Sequence, residues 1–359
     1  MTKEITSIVN FFTIKGSIAS TQIIHSGYIN TTYKVTTTQA SYILQKINDQ
    51  IFTNVEQLSV NILRITEHIQ QKTPLSKQSQ VLKVILTKEN KGYYQDADGQ
   101  FWRMFNYIEN TKTIEVLLHT AEAKNLGVAF GNFHSLLMDL PAPKLFEIIP
   151  NFHHTPFRIT QFEEAITNDA KNRRTEVNDE VSYLQHLASE MHAIVDLGAQ
   201  NKIPLRVIHQ DAKVGNILFD DQENIVTIID LDTTTQGFLA YDFGDAVRTG
   251  MNTASEGEKD LSKVSLQLDY FKAFTEGYAA SAKGFITKDE IDSLLLGVKI
   301  ITYEQAIRFL GDYLNGDIYY KTTYPEENLV RARVQIALLQ KILEHFPEMD
   351  SIIKSAFLK

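Results

Sequence analysis

The run His209-Gln210-Asp211-Ala212-Lys213-Val214-Gly215-Asn216, with a second carboxylate further on at Asp230, holds the side chains of this chain best suited to chemistry. A carboxylate, a carboxamide five residues on and another carboxylate beyond a short hairpin are the parts that phosphoryl transfer requires. Asp211 can orient or deprotonate an attacking hydroxyl, while Asn216 and Asp230 can hold Mg2+ on the phosphates of a nucleotide such as ATP. Magnesium takes hard oxygen ligands and typically keeps only one or two from the protein. A lone Asp or Asn in such a stretch would be read as a turn former. The preceding His and the terminal Asp, in register with the pair, move the reading from turn to chemistry.

These groups need elements that position them. Ile217-Leu218-Phe219 and the run 225–229 are β-branched or apolar, and Asp220-Asp221-Gln222-Glu223-Asn224 between them is turn-like. A reversal near Glu223 sets Asn216 and Asp230 side by side at the open end, with Asp211 just upstream. Asp242-Phe243-Gly244 spells the D-F-G of protein kinases, but it lies too far downstream for this hairpin to return it beside Asn216. Asp242 and Asp245 are therefore expected to brace the loop through hydrogen bonds, with contact to metal or substrate as the alternative.

At 359 residues the chain can bury a substantial core, as one large domain or two lobes. A hydrophobic content of 43% with mean hydropathy −0.18 excludes a disordered or membrane-embedded protein. The net charge of −9 argues against nucleic acid as a partner, since that binding needs clustered Lys and Arg. With no Cys, disulfides and thiolate metal sites are excluded. The first residues lack the pattern of a signal peptide, and no run reaches the ~18 apolar residues of a membrane span. The expectation is a cytoplasmic protein, monomeric or weakly dimeric, that meets small molecules and neither membranes nor nucleic acid.

Strand-like runs dominate the first hundred residues: Thr21–His25, Thr31–Thr36, Ser41–Lys46, Val81–Thr87 and Phe101–Ile108. One helical pattern from Asn54 to Gln70 interrupts them, with Val55, Leu58, Ile62, Ile65 and Ile69 on one face. After Thr113 long amphipathic helices take over: Glu115–Leu140, Val181–Leu197, Leu266–Ala280, Lys288–Leu314 and Glu326–Phe346. This predicts an α+β, bilobal arrangement: a small antiparallel-sheet lobe at 1–110, then a helical lobe at 111–359 with the hairpin embedded in it. Nucleotide clefts commonly form between such lobes.

Several segments resemble the aminoglycoside phosphotransferase and choline kinase superfamily, which has a protein-kinase-like fold. They are Gly27-Tyr28-Ile29-Asn30-Thr31-Thr32-Tyr33, Tyr42-Ile43-Leu44-Gln45, Pro204-Leu205-Arg206-Val207 leading into the loop at 209–216, Ile229-Asp230-Leu231-Asp232-Thr233 and Asp242-Phe243-Gly244-Asp245. Arg308-Phe309-Leu310, Asp312-Tyr313-Leu314 and Gly316-Asp317-Ile318-Tyr319 point within it to bacterial N-acetylhexosamine 1-kinases. The resemblance implies an ATP- and Mg2+-dependent kinase that phosphorylates the anomeric hydroxyl of a sugar. The nucleotide is then expected at Asn30 and Thr31 of the first hairpin, and at Phe105 and Tyr107 where the last small-lobe strand enters the hinge. The third strand should carry a cation for the α- and β-phosphates, yet Gln45 stands where relatives carry Arg or Lys. Lys46 is adjacent but points to the opposite face of a regular strand. Either a bulge turns Lys46 inward or Gln45 acts as a neutral donor, and Glu56 is the acid offered by the following helix.

On the acceptor side, the run 294–314 is apolar nearly all round and should be buried. Glu304, Arg308 and Asp312 nevertheless form a polar row at i, i+4 spacing. Such a row either satisfies itself or lines a wet, sugar-sized pocket. The resemblance favours Arg308 as a substrate contact with Asp312 as its partner, and Arg248 and Tyr28 as further candidates. The remaining His residues, His153-His154 included, show no metal-ligand spacing and read as loop or core.

Overall fold

Strand-period alternation in the first hundred residues builds a five-stranded antiparallel sheet. The computed structural model describes residues 2–24 and 29–358, and the chain divides into two units. The first gathers 1–113 with 136–150 and 216–236. After helix α1 (Thr2–Val9) come β1 (Ile18–Ile24), β2 (Thr31–Thr37), β3 (Ser41–Lys46), helix α2 (Val55–Lys72), β4 (Tyr94–Gln95) and β5 (Phe101–Asn106). Their order in the sheet is β1-β2-β3-β5-β4. Tyr42 and Leu44 of β3 and Trp102 and Met104 of β5 pack with Ile5, Ile8, Val9 and Phe12 to form the core of one face. The two-residue period then assigns Ile43, Gln45, Arg103 and Phe105 to the other face. Asn54 caps α2 by accepting from the Gln57 amide, and Leu58, Ile62 and Ile65 are buried on the predicted stripe.

The expected strand Val81–Thr87 forms only point contacts. Val84 makes an isolated bridge to Phe105 and Thr87 another to Phe12. Tyr94–Gln95 already pairs with Phe101–Trp102, and β3 takes the other side of β5. Little of β5 is left to extend a ladder.

The second unit comprises 114–135, 151–215 and 237–359. Its helices are α3 (Thr120–Leu137, whose last two residues belong to the first unit), α4 (Thr155–Asn168), α5 (Asn178–Leu187), α6 (Ala193–Ala199), α7 (Leu239–Gly250), α8 (Leu268–Ala282), α9 (Lys288–Asn315), α10 (Glu327–Glu344) and α11 (Phe346–Leu358). The expected helix Val181–Leu197 is broken by a 3-10 turn at Ala188–His192. Glu326–Phe346 becomes α10, with α11 following it.

The 28-residue α9 is buried along most of its length and packs against α4, α7 and α10. A capping box at Thr287 and Glu290 starts it. Its crossing with α7 is so tight that a Cβ on Gly297 would sit 1.9 Å from the Ala240 carbonyl oxygen, and one on Gly244 would sit 2.4 Å from that of Gly297. Gly244 of the D-F-G tripeptide therefore serves helix packing. Among the described residues, no helix is long and apolar enough to cross a membrane.

Candidate active site

In the second unit, the strand Arg206–Ile208 delivers the loop that carries Asp211. Arg206 fixes this strand to the start of α9, with Nε donating to Glu290 Oε1 at 2.8 Å. His209 is fully buried, its ring edge-on to Phe130 and Phe133. The loop is held from below by Asp242 of α7. The His209 amide donates to Asp242 Oδ2 at 2.6 Å and the Gln210 amide to Oδ1 at 2.8 Å. His134 Nε2 lies 2.8 Å from the same Oδ2. Burial works against the Asp242 charge, but the His134 hydrogen bond and nearby positive charge hold its carboxyl below the ordinary range. Asp242 thus braces the loop as expected. Asp245, expected to share that task, pairs instead with Arg248 at 2.8 Å.

A second brace comes from His153, which the sequence reading set aside as loop or core. Its Nε2 is 3.0 Å from the Gln210 carbonyl oxygen and its Nδ1 is 2.7 Å from Glu304 Oε1. Both partners can only accept, so both ring nitrogens must carry protons. Burial opposes the resulting charge, yet the charge and hydrogen bond of Glu304 raise the imidazole above its ordinary value. Glu304 is held low in turn: burial pushes it up, and His153, Arg308 and Arg158 outweigh that push. Gln210, caught between the two braces, adopts a left-handed φ of 66°. Asp211 follows, partly exposed, with Lys213 Nζ 2.7 Å from its Oδ2. Nothing local in the sequence announces His153, because its partners lie 57 and 151 residues away.

The other predicted ligands belong to the first unit. The hairpin strands Ile217–Phe219 and Ile225–Ile228 pair antiparallel, Ile217 opposite Ile228. One step further out, the Ile229 amide donates to the Asn216 carbonyl at 2.9 Å. Asn216 and Asp230 therefore flank the open end of the hairpin, with Asp230 in the left-handed region at φ 62°. An amide oxygen and a carboxylate at one hairpin mouth are a donor set that suits a hard divalent cation.

On the sheet of the same unit, the pairing Thr32–Gln45–Arg103 runs without a bulge across β2, β3 and β5. Gln45 Oε1 accepts from Arg103 Nε at 2.9 Å, and Gln45 Nε2 donates to Thr32 Oγ1 at 3.2 Å. Lys46 pairs in register with Thr31 and Trp102, which puts Thr31 and Lys46 on the opposite face from Gln45. No bulge turns Lys46 inward. Asn30 donates to Asp232 Oδ2 at 2.7 Å and accepts from the Asn48 amide at 3.0 Å. Phe105 is buried under the Arg103 guanidinium, 5.3 Å from it. Tyr107 lies under Lys34 Nζ at 3.7 Å. Glu56 is exposed on the first turn of α2. Tyr28, with Gly27, lies outside the described residues.

The acceptor candidates divide sharply. Arg308 is half-buried among rings, its guanidinium 5.2 Å from Phe152, 5.9 Å from Tyr319 and 5.8 Å from Tyr320. Asp312 is not its partner. Asp312 Oδ1 accepts from the Ile318 and Tyr319 amides at 3.0 and 2.9 Å, and Oδ2 from the Tyr320 amide and Asn328 Nδ2, both at 2.9 Å. Asp312 thereby folds the segment after α9 that brings Tyr319 and Tyr320 to Arg308. A carboxylate one turn along a helix was expected to meet Arg308. Four donors from the returning chain claim it instead. Arg248 is likewise engaged, with Asp245 and, at 2.7 Å, Glu256.

The profile of the phosphotransferase enzyme family matches residues 20–280. Solved structures share the fold at low identity. An aminoglycoside phosphotransferase from Alicyclobacillus acidocaldarius is 11% identical, with 97% of this chain and 96% of that one covered at TM-score 0.64. A microcompartment-associated aminopropanol kinase is 14% identical, with 97% and 98% covered at 0.64. A choline kinase from Cryptosporidium parvum is 13% identical, with 99% of each covered at 0.57. With a family match over well more than half its length and the same fold in these enzymes, the chain belongs to the phosphotransferase enzyme family.

Proposed function

We propose that the protein is an ATP- and Mg2+-dependent kinase of a small alcohol, and that its acceptor is the anomeric hydroxyl of an N-acetylhexosamine. The observation that carries the chemistry is the doubly braced loop ahead of Asp211, followed five residues later by Asn216 and then by Asp230 across the hairpin. Asp211 accepts or orients the C1 hydroxyl proton. The Lys213 ammonium beside it offsets negative charge as that proton leaves. Asn216 and Asp230 would hold the magnesium ion, which when bound neutralises charge on the phosphate oxygens. Little covalent work falls to the protein, so positioning and charge stabilisation dominate. The hexosamine assignment rests on the likeness of the 308–319 segments to the hexosamine kinases. An arginine framed by Phe152, Tyr319 and Tyr320 suits a sugar, which offers hydroxyls to the donor and apolar ring faces to the aromatics.

The solved relatives include a spectinomycin phosphotransferase in complex with ADP and spectinomycin and the choline kinase. A cationic acceptor is the second reading. It is disfavoured at Arg308, where the rings already enclose a cation. A coupled ADP-release screen over N-acetylglucosamine, N-acetylgalactosamine, glucose, choline and kanamycin decides. Magnesium-dependent turnover is expected with one or both acetylated sugars. Turnover on choline or kanamycin instead would establish the second reading, and ATP binding with no turnover on any acceptor would indicate a pseudokinase. In the same assay Asp211→Asn is expected to retain ATP binding and lose about 10²–10⁴-fold in turnover. Wild-type-like turnover would remove Asp211 from the mechanism.

A further inference from the structure

The reading as an ATP-dependent kinase leaves one role unfilled: the cation that meets the nucleotide phosphates. Gln45 occupies the position on β3 where that cation is expected, and the unbroken register turns Lys46 to the other face. Directly opposite Gln45 on β5 stands Arg103. Residues directly opposed in an antiparallel pair share a face, so Arg103 presents its charge on the same side of the sheet as Gln45.

The guanidinium is elaborately anchored. Nε donates to Gln45 Oε1 at 2.9 Å, Nη2 to Asp232 Oδ2 at 2.8 Å, and Nη1 to Asp232 Oδ1. Asn30 adds a bond to Asp232 Oδ2. The Arg103 and Asp232 side chains are each only 5% exposed. A bidentate ion pair buried so deeply is a poor route to stability, because apolar residues of the same volume commonly do as well or better. Its geometry suits another purpose. An acid that locks a strand cation in one orientation is what phosphate recognition requires. A guanidinium has five N–H donors; three are used in these bonds, and the two that remain, one on each outer edge of the group, can each donate to a phosphate oxygen. Asp232 also lies two residues beyond Asp230, in the turn Leu231–Thr233, so the pair that aims the cation also fixes the chain beside the metal ligand.

We infer that Arg103, reaching from β5 and locked by Asp232 and Gln45, is the phosphate-binding cation of the nucleotide site, taking the place of a lysine on β3. The inference rests on the kinase reading, and the test separates the two. Affinities for ATP with Mg2+ and for adenosine are measured by titration calorimetry on wild type, Arg103→Gln, Arg103→Lys and Asp232→Asn, with circular dichroism confirming the fold of each. The wild type is expected to prefer ATP. Arg103→Gln should cut that preference tenfold or more while adenosine affinity stays put. Arg103→Lys should restore part of it, since it keeps the charge and loses the planar donor set. Asp232→Asn should weaken ATP and spare adenosine. A pair with a purely structural role would shift both ligands together or neither. Folded Arg103→Gln and Arg103→Lys that keep the wild-type ratio would overturn the inference and leave the kinase reading standing. Should Arg103→Gln fail to fold, Arg103→Lys and Lys46→Ala decide. Loss of ATP preference in Lys46→Ala, with none in Arg103→Lys, would transfer the role to Lys46. A wild type with no affinity for ATP would overturn both readings.

Discussion

His153 shows how one side chain can set the working range of a loop. Its two ring nitrogens face the Glu304 carboxylate and the Gln210 carbonyl, so only the imidazolium satisfies both. The charged groups around it are Glu304 and Arg308 on α9 and Arg158 on α4, with the Tyr241 ring of α7 packed 5.7 Å away. Because the folded state raises the His153 pKa above the unfolded value of about 6.5, its contribution is complete below that value. It disappears as pH rises through the higher folded value. Turnover should therefore fall on the alkaline side, with a midpoint above the ordinary imidazole value. His153→Gln, which can keep one of the two bonds but cannot titrate, should lower turnover and abolish that limb. A pH–rate profile of the two proteins checks this. An unchanged alkaline limb in the variant would assign the titration to another group.

Among the elements, the crossing of α7 and α9 positions the loop from below. Asp242 reaches the His209 and Gln210 amides from a helix whose backbone nearly touches that of α9. A methyl group on Gly297 would collide with the Ala240 carbonyl, a backbone atom that cannot swing aside. Gly297→Ala should therefore cost about 1–3 kcal/mol by overpacking and also lower turnover, since separating the helices lifts Asp242 from the loop. Thermal unfolding and turnover together test this. A stable variant with normal turnover would show that the crossing can relax without reaching the loop.

For the molecule as a whole, the net charge of −9 opposes an anionic ligand at long range. Under the proposed function, affinity for ATP must come from local cations and from the metal that Asn216 and Asp230 would hold. ATP with MgCl2 at about 100 times its Kd should add about 2.7 kcal/mol of stability and raise Tm by several degrees. ATP with a chelator should give much less. Equal shifts in the two conditions would show that magnesium plays no part in nucleotide binding.

What could be read without coordinates was whatever depends on neighbours along the chain. The hairpin that sets Asn216 opposite Ile229 follows from two apolar runs around a polar turn. The stripe of α2 follows from its spacing, and the buried α9 from its nearly continuous apolar surface. Other elements gave no such signal. Ten of the twelve residues of α7 are buried, which erases the polar face that marks a helix in sequence. Only the folded chain could decide which distant groups meet: His153 with Gln210, Asp312 with the amides at 318–320, and Arg103 with Asp232. The reason is physical. Secondary structure responds to local period and turn chemistry, whereas a buried charge takes whichever complementary group the packing brings within hydrogen-bond reach, and that distance is set by the whole tertiary fold.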